Sequence, residues 1–93
     1  MKYYAVEFVY REDANVDATR PRHRQYLAGL RDDGKLLGAG PLVDGRASAL
    51  LIYKAEDEQG CREMIDNDPM QSEGVLKSYT VTEWNPATRA FDN

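Results

Sequence analysis

Between residues 2 and 10 the chain alternates. Tyr4, Val6, Phe8 and Tyr10 fall on one phase, and Tyr3, Ala5, Glu7 and Val9 on the other. A period of two in a run rich in aromatic and β-branched residues predicts a strand. Arg11 to Ala18 is polar and has no period, so it reads as a loop. Thr19-Arg20-Pro21 then gives a helix start, because a proline in a first turn has no N–H to leave unpaired. His23, Leu27 and Leu30 share one face of that helix, which runs to Asp33. Gly34 ends it, since glycine tolerates the left-handed position that closes a helix.

The pattern changes again after Gly34. Residues 35–40 read as a short strand ended by Gly40-Pro41, and Asp44-Gly45 as a hairpin-type turn. Ala47 to Lys54 is a third strand with a core-like Ala-Leu-Leu-Ile run. Asp57 caps a helix over about residues 58–67, with Cys61, Met64 and Ile65 on its apolar face. Asp68-Pro69 stops it, because the residue before a proline is pushed out of α geometry. Residues 75–84 alternate as a fourth strand, and 85–93 form a polar tail expected to be loosely held.

The resulting order, β-α-β-β-α-β over a single domain of residues 1–93, is the split βαβ pattern of ferredoxin-like α+β folds. Right-handed crossovers predict one four-stranded antiparallel sheet in order 4-1-3-2 with two helices on one face. The other face would expose apolar side chains from strands that are apolar on both phases. A homodimer joined through that sheet face is therefore expected.

Composition narrows the function. A net charge of −4 and a pI near 4.9 argue against a sequence-independent nucleic-acid binder. The brief basic cluster Arg20, Arg22 and Arg24 reads as a solvated helix end or as the rim of an anion-attracting pocket. The single cysteine, Cys61, excludes an intramolecular disulfide and reads as core. One histidine and one cysteine cannot supply a usual zinc set, so neither a metal nor another cofactor is expected. No apolar run approaches the roughly 18 residues that span a membrane, and the N-terminus lacks a signal-peptide core. The expectation is a cytoplasmic protein that meets neither membrane nor nucleic acid.

The topology carries the candidate chemistry. With strand 1 running upward, the top edge collects Tyr10, the start of the first helix at His23, Gly40-Pro41, Ala47-Ser48 and Asp68. His23 and Asp68, far apart in sequence, are thus brought together on inward-facing phases. A neighbouring aspartate fixes an imidazole's tautomer and favours its protonated form, which suits acid/base work. A bland alternative stands beside this: Asp68 capping a turn ahead of Pro69, and His23 filling space.

Four segments together resemble the YCII-related (YciI-like) family of small ferredoxin-like proteins. They are Arg22-His23-Arg24-Gln25-Tyr26-Leu27, Gly34 through Pro41, Asn67-Asp68-Pro69-Met70 with Gly74-Val75, and Trp84-Asn85-Pro86. The resemblance implies a dimeric α+β barrel whose active site centres on a His–Asp pair, carried over to His23 and Asp68. Gly40 and Pro41 match the bend beside that site. Some relatives remove chloride from a chlorinated hydroxyhydroquinone, and others isomerise muconolactone-type rings. Many relatives carry a longer Gly-rich segment before strand 3, with a serine or threonine at its start. Here the connection is only Leu42 to Arg46, and Ser48 lies about one position out of that register, so its face decides whether it meets substrate.

The leading expectation is a small enzyme working without a cofactor. His23 is its acid/base group, Asp68 orients His23, and Gly40, Pro41, Ser48, Tyr10 and Met70 contact substrate, with Tyr4 and Tyr26 as further candidate walls. The reactions that fit are elimination or isomerisation of a small aromatic or lactone compound. The alternative is a dimeric small-ligand-binding or accessory protein without turnover. A third reading, His23 as an axial haem ligand, has no supporting motif.

Overall fold

The computed structural model describes residues 1–91. Its elements are β1 (Lys2–Tyr10), α1 (Val16–Asp32), β2 (Leu36–Pro41), β3 (Ser48–Ala55), α2 (Glu58–Asp66), α3 (Pro69–Ser72) and β4 (Leu76–Trp84). The sheet is antiparallel in the order β2-β3-β1-β4, the predicted arrangement.

Strand β1 sets the core. Tyr4, Val6 and Phe8 are almost fully buried, and they pair across β3 with Tyr53, Leu51 and Ala49. Leu27 and Leu30 of α1 and Cys61 and Ile65 of α2 complete the same cluster, so the helices cover this one face. On the opposite phase Ala5, Glu7, Val9 and Ile52 are half-buried and Leu50 and Trp84 are exposed.

One helix start and one added helix differ from the sequence expectation. Helix α1 begins at Val16, inside the stretch expected to be a loop, because the Asn15 side chain accepts a hydrogen bond from Ala18 N–H and caps it. Pro21 therefore sits past the first turn, where it removes one backbone hydrogen bond without ending the helix. Beyond Asp68 a short extra helix, α3, runs from Pro69 to Ser72.

Gly34 and Gly74 close α1 and α3 in the same way. Both have positive φ, 75° and 73°. Each is followed by a residue whose N–H reaches back across the last turn, Lys35 to the Leu30 carbonyl and Val75 to the Met70 carbonyl.

The polar tail is better held than expected. Phe91 meets the Tyr3 ring edge-on at 5.5 Å, and the Arg89 guanidinium lies 5.0 Å from the same ring. Residues 92 and 93, the end of the expected tail, lie outside the described residues.

Candidate active site

His23 and Asp68 meet. Nδ1 of His23 lies 2.8 and 2.9 Å from the two carboxylate oxygens of Asp68. Helix α1 turns His23 inward on the stripe that also buries Thr19, Leu27 and Leu30. Asp68 arrives from the other side as the N-cap of α3, where its Oδ1 accepts the Met70 N–H at 2.9 Å. The capping role that competed with the pairing role is thus filled by the same carboxylate. With that carboxylate as acceptor, the shared proton sits on Nδ1 and a neutral imidazole keeps its lone pair on Nε2.

Burial makes this arrangement stiff. Asp68 has no solvent exposure and His23 only 9%. Burial raises the phenol pKa values of Tyr10, Tyr26 and Tyr53, and the Asp68 carboxylate pushes all three the same way. At Tyr10 the guanidinium of Arg20 opposes the rise. All three phenols are protonated at neutral pH, and the buried Tyr53 hydroxyl has no hydrogen-bond partner.

His23 opens on a cavity of about 290 Å³ between α1 and the β2 edge of the sheet. Tyr10, Arg20, Arg24, Gly40 and Pro41 share its wall with His23, over a floor of Leu27, Ala39, Ala49 and Leu51. An irregularity at Leu37 builds this wall. Leu36 pairs with Tyr53, but Gly38 pairs with Ile52, so the register slips by one residue. The slip turns Ala39 and Pro41, opposite Leu51 and Ala49, onto the phase that faces α1.

Of the residues expected at the site, His23, Tyr10, Gly40 and Pro41 line this cavity and Asp68 lies behind the imidazole. Ser48 does not. It pairs with Val9, on the sheet phase turned away from the helices, and its hydroxyl is buried without a hydrogen-bond partner. Met70 is sealed in the core, held there when Asp68 caps its N–H and Val75 takes its carbonyl. Tyr4 is core as well, and Tyr26 spends its hydroxyl on the Met64 carbonyl at 2.7 Å. Arg22 also leaves the site, binding Glu73 instead.

Arg20 and Leu27 were legible as neighbours of His23, because positions three before and four after it lie on the same helix face. Ala39 and Ala49 had no such signal. Cys61 is fully buried and its thiol is pushed up to about 11 by desolvation, so it is no nucleophile at neutral pH. Among the described residues, no three His, Cys, Asp or Glu side chains gather as a metal-binding set. No helix among them is long and apolar enough to cross a membrane.

Residues 1–85 match the YCII-related domain family. The chain belongs to that family. Comparison with curated protein sequences returns no significant match. Among solved structures, this YCII-related domain is similar to the 5-chloro-2-hydroxyhydroquinone dehydrochlorinase TftG from Burkholderia phenoliruptrix AC1100, in complex with 2,5-dihydroxybenzoquinone. The TM-score is 0.71 at 18% identity, covering 89% of this chain and 93% of the other. It is also similar to an antibiotic biosynthesis monooxygenase, with a TM-score of 0.59 at 14% identity over 91% and 97% of the two chains. The protein PA3566 from Pseudomonas aeruginosa gives a TM-score of 0.59 at 10% identity over 89% and 91%. At these identities the likeness is one of fold alone: a four-stranded antiparallel sheet with helices packed on one face.

Proposed function

We propose that this YCII-related protein is a small proton-transfer enzyme. His23 is its general acid/base, and Asp68 fixes the Nδ1–H tautomer and steadies the imidazolium formed in the reaction. One observation carries the reading: the imidazole that lines the cavity is gripped from behind by both oxygens of a buried carboxylate. Nε2 then takes a proton from an acidic C–H or O–H of a small ring compound. In an elimination the freed electron pair forms a double bond as the leaving group departs. In an isomerisation His23 returns the proton to a neighbouring atom. The chemistry asks for a positioned base and little else.

The dehydrochlorinase with the similar fold makes chloride elimination the first reaction to try. Chloride release from 5-chloro-2-hydroxyhydroquinone, and ring isomerisation of muconolactone-type compounds, are measured for wild type, His23→Gln and Asp68→Asn. Turnover that both substitutions abolish supports the reading. Turnover that survives Asp68→Asn at the wild-type rate rejects it. Tight binding of 2,5-dihydroxybenzoquinone without turnover of any compound would instead make the protein a ligand-binding module.

The active form is a homodimer joined through the sheet face away from the helices. What supports this is the apolar character of that face, with Leu50 42% and Trp84 41% exposed. Light scattering at micromolar concentration should give twice the chain mass, and Leu50→Glu should shift it toward the monomer. A wild-type monomer mass would reject the dimer.

A further inference from the structure

Helix α1 carries four arginines, and three of them are matched. Arg20 pairs with Asp17, Arg22 with Glu73 and Arg31 with Asp32. Arg24 has no ion-pair partner among the described residues, and it is the one that stands with Arg20 over the cavity beside His23. We propose that this cavity takes a small organic anion, a carboxylate or phenolate on a single-ring body, with Arg24 as the group that holds its charge. The proposal rests on the reading of the cavity as the substrate site.

Four further observations point the same way. The protein carries a net charge of −4, yet the described residues lining this cavity include two arginines and no acid. Its positive rim is thus a local feature set against the field of the whole chain. Apart from His23, whose Nε2 is the base, the polar side chains of the wall are donors: Arg20, Arg24 and the protonated Tyr10 phenol. A site that offers donors satisfies an oxyanion and leaves a neutral amide's own donors unpaired. Below the rim the floor of Leu27, Ala39, Ala49 and Leu51 is apolar, which suits the flat face of a ring. A volume of about 290 Å³ is enough for one ring with its substituents.

The chain's single histidine lies in the site, so its ring resonances report occupancy without interference. Benzoate and its neutral isostere benzamide are titrated against wild type, Arg24→Gln and Asp68→Asn at low and high salt, following the His23 ring signals by NMR. Benzoate should shift the signals saturably and benzamide should bind far more weakly. Arg24→Gln should cost benzoate about tenfold in affinity and leave benzamide unchanged, since a charge-assisted bond has become a neutral one. High salt should weaken benzoate alone. Equal affinity for the two probes, benzoate binding unchanged in Arg24→Gln, or no saturable shift at millimolar concentration would each overturn the proposal. The readout is binding. Benzoate selectivity retained in Asp68→Asn keeps this inference standing even if the acid/base role of that residue fails.

Discussion

Two hydrogen-bonded side-chain pairs join α1 to the segment around α3, at adjacent positions of α1, and they live in different media. His23–Asp68 is sealed, with side-chain exposures of 11% and 0%. Arg22–Glu73 is open, at 55% and 38%, although its geometry is as good: the guanidinium reaches the carboxylate with Nε at 2.8 Å and Nη2 at 2.5 Å. Geometry alone therefore does not rank them. In water a charge pair gains little over two hydrated ions, whereas a buried carboxylate deprived of its partner has no solvent to turn to. The exposed pair is a fastening. The buried pair is where the chain can hold a proton donor and acceptor at a fixed distance.

The comparison breaks most sharply in activity. Asp68→Asn should lower turnover about a hundred- to ten-thousand-fold, the usual worth of a positioned acid/base group. Glu73→Gln should leave turnover near wild type. Steady-state rates of the two variants on the same substrate decide this, and equal losses would erase the functional distinction.

Stability comes next. Asp68→Ala strips the Met70 N–H of its acceptor and leaves a buried imidazole unpaired, so it should cost about 3 kcal/mol, the low end for breaking a buried pair. Urea unfolding at one fixed protein concentration measures it, since self-association would otherwise shift the midpoint. Glu73→Gln should lower the midpoint much less. One-molar salt should erase its deficit and leave that of Asp68→Ala in place, because exposed charges are screened and buried ones are not.

The smallest effect is in acid. The Arg22 guanidinium, helped by the Thr19 hydroxyl, holds the Glu73 carboxyl below the usual carboxylate range. Its folded pKa lies below the unfolded one, so its stabilisation is full above the ordinary carboxylate pKa. That stabilisation fades as pH falls through the depressed value. Wild type should therefore lose more stability than Glu73→Gln on acidification. Parallel melting curves across that range would remove Glu73 from the account.

The order of elements apart from α3, the strand order and the inward phase of His23 were legible in the sequence, because each depends on local signals. Alternation in β1 marks a pleated strand with Tyr4, Val6 and Phe8 on one side. The spacing of His23, Leu27 and Leu30 marks one helix face. Gly34 and Pro69 punctuate the backbone through their own sterics. Crossover handedness also brought His23 and Asp68 to one edge of the sheet, while their pairing stood beside the alternative of a mere turn cap until the structure showed the contact.

What escaped the sequence depends on partners supplied from a distance or on a single-residue slip. The first turn of α1 needed the Asn15 cap to outweigh a proline signal that pointed to a later start. The slip at Leu37 flipped Ala39 and Pro41 toward α1, and pairing with Val9 sent Ser48 to the other face. A period of two allows no intermediate outcome. Met70 was drawn into the core by the Asp68 cap and the Gly74 closure of α3. Arg24 and Arg22 look alike in the sequence, two steps apart on one helix. Only the folded chain puts Glu73 beside one and a cavity beside the other, because a side chain's partner is set by what the rest of the molecule packs against it.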